Sequence, residues 1–496
     1  MTYRAWNTKT VDRAALKELT AAIAQQNTEE LEYQNMDEEW SEEKYRAVLA
    51  AQQKEAGLLA GILAARGITD PAEALTLLAG EEELSDPMLL TDMDKACERI
   101  LRAIDEGETI VVFGDYDVDG VTATALLYQH LKGMGAAVKC MLPSREGDGY
   151  GLSRNAIQSI HDKGYRLIVT VDNGISAVAE ADFAAELGID LIITDHHLPP
   201  ETLPKAVAVV DPRREDDTSP FKGLCGAGVA FKLCAALDDC TPEEMLDYCG
   251  DLAAVGTVAD VMPLTGENRT LVKAGLRQLQ QTDRPGMEAL LEEVGLAGKP
   301  VTAENISYAI APRINAAGRM DSAVTALQLV LCEDPDRAEE LAHKLNEINA
   351  KRQETELQIF KAAEELLEQQ PELSGCMFLP GDQPLLHRET VEAMTEFFCR
   401  EQPSPAEWQK ETEREIFRLG AVAENDPAPL VGSPVLFGNS FFPELLTLPE
   451  NKGGNVLLKK YPAQVRTVCI ADSAELLDAD TPQALQQLEA LARQKG

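Results

Sequence analysis

The chain carries at residues 109–120 the run Thr109-Ile110-Val111-Val112-Phe113-Gly114-Asp115-Tyr116-Asp117-Val118-Asp119-Gly120, in which an apolar segment passes directly into an acidic turn. The apolar residues 109–113 have the length and β-branched content of a buried parallel strand. The three aspartates therefore lie at its carboxyl end, where open α/β sheets bind their ligands. Carboxylates this close repel one another, and a hard divalent cation relieves the repulsion. A solvated acidic turn is the alternative interpretation of this run by itself.

Three later segments repeat the same pattern, an apolar run that ends in Asp or His. The first two are predicted to be strands and the third a helix or loop. Because the carboxyl ends of parallel strands meet at one edge of a sheet, we expect these side chains to converge on the first cluster. The segments are Leu167–Val171 before Asp172, Leu191–Thr194 before Asp195-His196-His197, and Ala253–Ala259 before Asp260.

The adjacent histidines favour a metal site over a structural role, since two of the six histidines in the chain follow an Asp at a strand end. Neighbouring side chains of an extended segment point in opposite directions. We therefore expect one of the two histidines to bind metal and the other to contact a substrate phosphate.

Taken in order, these segments resemble the signature motifs of the DHH phosphoesterase superfamily. Flanking blocks make the sequence similar to the RecJ branch, the single-strand-specific exonucleases, over about residues 40–365. The blocks are Pro143-Ser144-Arg145-Glu146, Gly149-Tyr150-Gly151-Leu152, Gly226–Lys232 and Ile314–Met320.

The resemblance implies a metal-dependent phosphodiesterase. Hydrolysis needs a nucleophile in line with the leaving oxygen and positive charge on the phosphoryl oxygens, and two divalent ions supply both. Carboxylate and imidazole ligands suit Mn²⁺ or Mg²⁺. We assign the two ions to Asp117, Asp119, Asp172, His196 and Asp260, with Asp172 as the bridging ligand.

Further residues are assigned to catalysis and substrate binding. Asp115 is expected to influence the metal ligands without binding the metal itself. His197 is expected to contact the substrate phosphate. Four more residues are expected to hold the substrate backbone, or alternatively to cap the fold. They are Arg145, Arg313, Asn315 and Arg319.

The composition of the 496 residues bounds the function further. The length predicts two or more domains. A formal net charge of −39 argues against a general nucleic-acid coat, although binding follows the local potential and a nuclease remains compatible with it. A strand groove must then be a narrow basic strip, for which the candidates are Arg145, Arg213, Arg214, Arg313 and Arg319.

Membrane and secreted classes are not indicated. No apolar run approaches the ~20 residues of a membrane span, and residues 1–6 lack the apolar core of a signal peptide. The ten cysteines include no Cys-x-x-Cys pair, so neither a zinc ribbon nor a disulfide framework is expected. These features predict a cytoplasmic protein.

The fold expected is α/β, with the DHH phosphoesterase parallel sheet at 106–330. A helical segment at 1–105 precedes it, and a connecting helix at 331–370, most of it from Asp334 to Gln370, follows it. The final part, 371–496, is expected to be a partial α/β domain. Four helices are predicted in the first segment: Val11–Gln26, Glu42–Arg66, Pro71–Leu78 and Asp92–Glu106.

The final part departs from the RecJ pattern, because no glycine- and serine-rich block that grips the strand follows residue 370. Its ordered segments are Gly375–Leu385, Gly432–Phe437, Asn451–Gly454 and Glu475–Pro482. Together they resemble the carboxyl-terminal half of molybdenum-cofactor cytidylyltransferases, the MobA-like nucleotidyltransferases. That resemblance implies Asp382 and Asp480 as metal ligands. The triphosphate-binding loop of that family does not precede residue 375, so the domain is expected to be vestigial.

Three functions remain open at this point. The first is a 5′→3′ exonuclease on single-stranded DNA in repair and recombination, with single-strand-binding or helicase proteins as partners by resemblance. The second is a DHH phosphodiesterase on short oligonucleotides or cyclic dinucleotides. The third is a fusion whose tail is a vestigial cytidylyltransferase.

Overall fold

The computed structural model divides the chain into two compact units, Met1–Asn346 and Glu347–Gly496. The structure describes residues 12–38, 41–79, 83–143, 151–320, 322–369, 374–379, 386–401, 415–421, 430–448, 454–470 and 473–476.

The first unit opens with four helices, as the sequence predicts. α1 is longer than predicted. Its second half is helical but has no apolar stripe, so the sequence pattern did not reveal it. Leu19 and Ile23 of α1 pack against Ala56 and Ala60 of α2. The bounds are α1 Arg13–Glu38, α2 Glu42–Ala65, α3 Pro71–Ala79 and α4 Met93–Asp105.

A five-stranded, entirely parallel sheet follows, which confirms the predicted α/β class. The strand order is β2-β1-β3-β4-β5. The sequence did not single out β2, which is only partly buried, or β5, which is three residues long. The strands are β1 Ile110–Phe113, β2 Val138–Met141, β3 Leu167–Val171, β4 Asp190–Thr194 and β5 Ala208–Val210.

The strand order decides where a ligand can bind. From β1 the chain crosses to β2 on one side, and then returns to β3 on the other side. The connections that leave the carboxyl ends of β1 and β3 therefore diverge and open a crevice between them. The predicted aspartates follow these two strands.

Helices cover both faces of the sheet. Val111, Ile168 and Leu191 face α6 and α7 in one buried cluster, whereas α5 and α8 contact the strands as well. Side chains alternate between the faces of a strand, so both faces are apolar. These helices are α5 Val118–Gly133, α6 Arg154–Asp162, α7 Val178–Glu186 and α8 Gly226–Leu237.

The remainder of the first unit is helical. α9 begins at a capping box of Thr241 and Glu244 with Pro242 in its first position, and it ends beside Asp260. The elements are α9 Pro242–Ala259, α10 Glu267–Gln280, α11 Pro285–Glu293, α12 Ala303–Asn305, a π-helical turn Ile306–Ile310, α13 Ala311–Met320 and α14 Ala323–Val330.

The long helix α15, Pro335–Gln369, occupies the predicted connecting segment, and the boundary between the units falls within it. The second unit contains a mixed sheet of order β6-β8-β7-β9, in which only β7 and β9 are parallel among the described strands. Its elements are β6 Gly375–Phe378, α16 Arg388–Glu401, β7 Ile416–Ala421, β8 Leu430–Gly438, α17 Phe442–Leu445, α18 Asn455–Lys460 and β9 Val465–Ile470.

The helices of the described ranges include none with the combination of length and apolar character that a bilayer crossing requires.

A buried ion pair joins α8 to α10. Lys232 Nζ lies 2.6 Å from Glu267 Oε2, and the two residues are 1% and 4% exposed. Lys232 also donates to the backbone carbonyl of Ser85, whose hydroxyl donates to Glu267 at 2.5 Å. The pair therefore ties the segment before α4 to the helices behind the sheet.

Replacing one partner should be costly. In Lys232→Met the Glu267 carboxylate stays buried without a counter-charge, so we expect the free energy of unfolding to fall by about 3–5 kcal/mol. Urea denaturation measures the change. The double variant Lys232→Met/Glu267→Leu should recover much of the loss, because no uncompensated charge remains.

The matched control is Arg337→Met, which breaks the exposed pair with Glu340. Exposed pairs contribute little, so its midpoint should stay near that of the wild type. A Lys232→Met variant as stable as this control would show that the buried pair is not a stabilising contact.

Candidate metal centre

The first aspartates lie between the end of β1 and the first turn of α5. Asp117 is the N-cap residue of α5 and accepts from Gly120 N at 3.0 Å. Asp119, 2% exposed, accepts from Gly226 N at 2.7 Å and Ala227 N at 2.9 Å, at the start of α8. Two helix N-termini thus stabilise the negative charge of this segment.

Asp172 follows β3 and adopts the left-handed conformation, with φ of 61°. Gly226 approaches Asp172, and Gly256 approaches Asp119, so closely that a Cβ at either position would clash. A Cβ on Gly226 would lie 2.3 Å from Asp172 Cβ, and a Cβ on Gly256 would lie 2.5 Å from Asp119 Oδ1. The motif glycines therefore make room for the carboxylates.

His196 is at the centre of the cluster. Its Nε2 lies 3.1 Å from Asp172 Oδ1, 3.7 Å from Asp260 Oδ2 and 3.8 Å from Asp119 Oδ2. Potential ligand atoms form two groups within 4.8 Å: Asp172, His196 and His197 in one, and Asp119, His196 and Asp260 in the other. Predicted residues from β1, β3, β4 and α9 thus converge.

The orientation of the two histidines differs from the expectation. Their ring centroids are 4.4 Å apart with a tilt of 50°, so the rings do not point in opposite directions. β4 ends at Thr194, and the alternation rule for extended strands no longer applies at 196 and 197. His197 Nδ1 instead lies 2.7 Å from Asp195 Oδ1, which fixes its ring.

Burial and mutual repulsion shape the acidity of the carboxyl groups. Burial, followed by the charges of Asp119 and Asp117, raises the pKa of Asp172 well above its usual value and that of Asp260 to about 7. Burial and Asp117 raise the pKa of Asp115 to about 6, and burial and Asp119 raise that of Asp117. A cation would reverse this effect, since it favours the charged forms.

The pair Asp195–His197 behaves differently. Burial acts to raise the pKa of Asp195, but the hydrogen bond and the charge of His197 outweigh it and lower this pKa to about 2. Burial acts to lower the pKa of His197, but the bond to Asp195 raises it to about 9. The pair is therefore ionic at neutral pH, with the imidazolium beside the acidic cluster.

The residues fit a bound divalent cation. In the part of the chain that the structure describes, Asp172 Oδ1 and both ring nitrogens of His196 are buried and lack a hydrogen-bond partner. Buried polar atoms without partners are costly and call for a ligand. Oxygen and imidazole donors without thiolate suit Mn²⁺ or Mg²⁺.

A cleft of about 540 Å³ opens beside the cluster. Asp115, Asp172, Asp195 and His197 line it. Its lining also includes Ser153, Arg154, Asn155, Ser176 and Glu180, at or near the starts of α6 and α7. Asp115 therefore borders open space, as a role near the reacting groups requires.

Three further residues at the site have no individual role in the prediction: Asp195 is named only as a motif member, Arg213 only as a candidate for the basic strip, and Asp211 is not singled out. Asp195 orients His197, accepts from Ile175 N at 2.9 Å, and has 1% exposure. Asp211 follows β5, and burial and Asp195 raise its pKa to about 8. Arg213 contributes positive charge to His196 and Asp260. The run Val207–Val210 before Asp211 repeats the apolar-run pattern and could have revealed this strand end.

Asn315 and Arg313 have structural partners. Asn315 Oδ1 accepts from Val118 N at 3.2 Å and so holds the start of α5. Arg313 donates to Asn346 Oδ1 at 2.9 Å and Ala309 O at 2.7 Å. Both contacts agree with the alternative in which these residues cap the fold, and their substrate role stays a prediction.

Arg214 is not available to a basic strip. It is 8% exposed and forms ion pairs with Asp92 and Asp216 at 2.7 Å. Arg145, Asp382 and Asp480 lie outside the described residues, as does the side chain of Arg319.

Comparison with known proteins gives matches in both halves of the chain. A family model described as the DHH family, N-terminal domain, matches residues 109–257. A second model, described as a MobA-like NTP transferase domain, matches residues 315–465. The first match covers all five strands of the parallel sheet and most of the acidic cluster.

The chain is 42% identical over 315 residues to the single-stranded-DNA-specific exonuclease RecJ of Bacillus subtilis, with 63% of this chain and 39% of that protein covered. It is 38% identical over 312 residues to RecJ of Escherichia coli, with 60% and 54% covered. The chain thus spans about half the length of these curated relatives.

Among solved structures, exonuclease RecJ bound to manganese is similar with 31% sequence identity and a TM-score of 0.52. The match covers 72% of this chain and 92% of that one. The motifs, the parallel sheet and the converging ligand groups agree with this similarity. The chain therefore belongs to the DHH phosphoesterases, in the branch of the RecJ single-stranded-DNA-specific exonucleases.

Proposed function

We propose that this protein is a divalent-metal-dependent exonuclease that hydrolyses phosphodiester bonds of single-stranded DNA from the 5′ end. The observation that carries the proposal is the pair of ligand groups that share His196. The two groups bring Asp119, Asp172, Asp260 and both histidines close enough to hold divalent cations, and the RecJ relatives are named as single-stranded-DNA-specific exonucleases. Asp117 belongs to neither group, and its place among the proposed ligands rests on the resemblance.

We assign the ions to Asp117, Asp119, Asp172, His196 and Asp260. When bound, two Mn²⁺ or Mg²⁺ ions would neutralise phosphoryl charge and activate water for attack. Asp119 is oriented by two backbone N–H groups. His196 belongs to both groups, and its Nε2 lies 3.1 Å from Asp172 Oδ1.

His197 and Asp115 are proposed to act on the substrate. The imidazolium of His197, paired with Asp195, presents positive charge toward the cleft and would hold a phosphoryl oxygen. Asp115 borders the same cleft and would influence the nearby ligands by its charge. Arg145, Arg313, Asn315 and Arg319 are proposed to contact the substrate backbone.

We propose the domain division 1–105, 106–330, 331–370 and 371–496, with the last part a vestigial nucleotidyltransferase whose metal ligands would have been Asp382 and Asp480. The mixed sheet β6-β8-β7-β9 and the match at 315–465 support a nucleotidyltransferase-like origin. The missing triphosphate loop supports its inactivity.

Single-stranded DNA is the proposed partner, and single-strand-binding or helicase proteins are further candidates by resemblance. We propose the cytoplasm as the compartment, because all ten cysteines, each within a described range, are free thiols. DNA repair and recombination are the corresponding processes.

One observation favours a second candidate, a phosphodiesterase on short oligonucleotides: the second unit contains the mixed sheet in place of a recognisable strand-gripping block. Labelled single strands from two nucleotides to long DNA, incubated with Mn²⁺, separate the candidates. Ordered shortening of long strands from the 5′ end, with blunt duplex cut poorly, supports the exonuclease. Hydrolysis confined to the shortest substrates favours the second candidate, and equal rates on blunt duplex contradict the first.

Asp172→Asn should separate metal binding from folding. Asparagine tolerates the left-handed conformation at this position, so the fold should survive. We expect kcat to fall by at least about 100-fold with loss of a metal ligand. In EDTA the Tm of the variant should equal or exceed that of the wild type, because a repulsive buried carboxyl group is gone. The rise in Tm that Mn²⁺ produces should be smaller in the variant than in the wild type.

The control is Asp182→Asn, an exposed carboxylate that pairs with Lys205 far from the acidic cluster. It should keep wild-type activity and the full thermal response to Mn²⁺. Wild-type turnover together with unchanged manganese content in Asp172→Asn would refute the ligand assignment.

His197→Gln tests whether this residue contacts phosphate or metal. If His197 holds a phosphoryl oxygen, the KM for the strand should rise about tenfold, because a charge-assisted hydrogen bond is lost. Manganese affinity, measured by isothermal titration calorimetry, should stay unchanged. A large loss of manganese affinity would instead place His197 among the ligands, with Asp172 and His196.

A further inference from the structure

Val261, directly after the proposed ligand Asp260, has an unusual backbone conformation. Its φ is +57°, in the left-handed region. The other described non-glycine residues with positive φ are Asp92, Asp172 and Asp239. Aspartate tolerates this region because its short polar side chain can bond locally, whereas a β-branched residue there is strained.

The conformation belongs to a complete Schellman motif at the end of α9. Val261 N donates to Val258 O and Met262 N donates to Thr257 O, each at 3.2 Å. The position that Val261 occupies in this motif is usually glycine. The chain therefore has a strained valine at a position where glycine would make the same turn without strain.

No packing in the protein repays this strain. Val261 is 86% exposed, the largest value among the exposed large hydrophobic residues that the structure describes. Local strain of this kind persists mainly at functional sites. The Cα atoms of Val261 and Asp260 are one peptide unit apart, and Asp260 Oδ2 lies 3.7 Å from His196 Nε2.

We propose that Val261 forms an apolar contact with the sugar or base of the nucleotide whose phosphodiester is hydrolysed, and so positions it at the acidic cluster. The proposal rests on the proposed nuclease function and adds a substrate-binding residue to it. The occupant is the substrate strand, because Val261 is exposed and directly follows Asp260 in the chain, and a phosphodiester held by the ligand group brings a nucleoside to each side of its phosphate.

Three variants separate the contact from the strain. Val261→Gly removes both, Val261→Ala removes most of the contact and keeps a Cβ in the left-handed region, and Val261→Ile keeps both. We expect the KM for single-stranded DNA with Mn²⁺ to rise about five- to tenfold in the glycine and alanine variants, with a smaller change in kcat. The isoleucine variant should stay within about twofold of the wild type.

Stability and metal binding are the accompanying measurements. Val261→Gly should raise Tm by about 2 °C, since relief of the strain exceeds the entropy cost of glycine. Val261→Ala should not reproduce that rise in full. Manganese affinity should be unchanged in all three variants, because the backbone bonds that hold Asp260 remain.

Two results would overturn the proposal. One is a wild-type KM in Val261→Gly, and the other is weaker manganese binding in it, which would mean that Val261 acts only through Asp260. If the wild-type protein cleaves no strand, the proposed nuclease function fails. Titration of the same oligonucleotide in Ca²⁺ then tests the Val261 contact separately. Weaker binding by Val261→Gly than by the wild type supports the contact. Equal binding by the two proteins, or no binding by either, rejects it.

Discussion

The mutual repulsion of buried carboxylates at the crevice between β1 and β3 constrains the whole first unit. Asp117, Asp119 and Asp172 lie within one cluster, and burial and their neighbours' charges raise the pKa of Asp172 well above the usual range. Folding has to bring these groups together before a cation can compensate their charge. The surrounding structure therefore supplies backbone donors from α8 and close approaches at Gly226 and Gly256.

The site divides its polar groups into two kinds. Asp195 and His197 satisfy each other, so that their charges are fixed before any ligand arrives. His196 and Asp172 keep buried atoms without hydrogen-bond partners among the described residues, and this leaves them open to a cation. The oriented pair Asp195–His197 lies next to proposed metal-binding atoms that have no partner within the described ranges, and this arrangement suits phosphoryl chemistry. The free energy needed to orient the pair is supplied by folding and not by substrate binding.

The two units differ in fold and in the family that they match. The first contains the parallel sheet, the acidic cluster and most of the similarity to RecJ. The second contains a mixed sheet with its own apolar clusters and matches a different family. All the residues proposed for the nuclease reaction lie in the first unit.

The sequence by itself determined the α/β class, the strands that precede Asp115, Asp172 and Asp195, and the expectation that Asp and His side chains at their ends converge. It could do so because an apolar run followed by an acid is a local pattern, and parallel strands bring their carboxyl ends to one edge. The position of Asp260 at the end of a helix was less accessible, because the run Ala253–Ala259 before it is apolar without a helical period. The length of α1 was less accessible because its second half has no apolar stripe.

Tertiary structure alone decided the contacts that depend on residues distant in sequence. Arg214 pairs with Asp92, more than a hundred residues away, and this removes it from any basic strip. His197 turns toward Asp195 because β4 ends before it, so its ring lies beside that of His196. Side-chain orientation beyond a strand end is set by such partners, which no local pattern specifies.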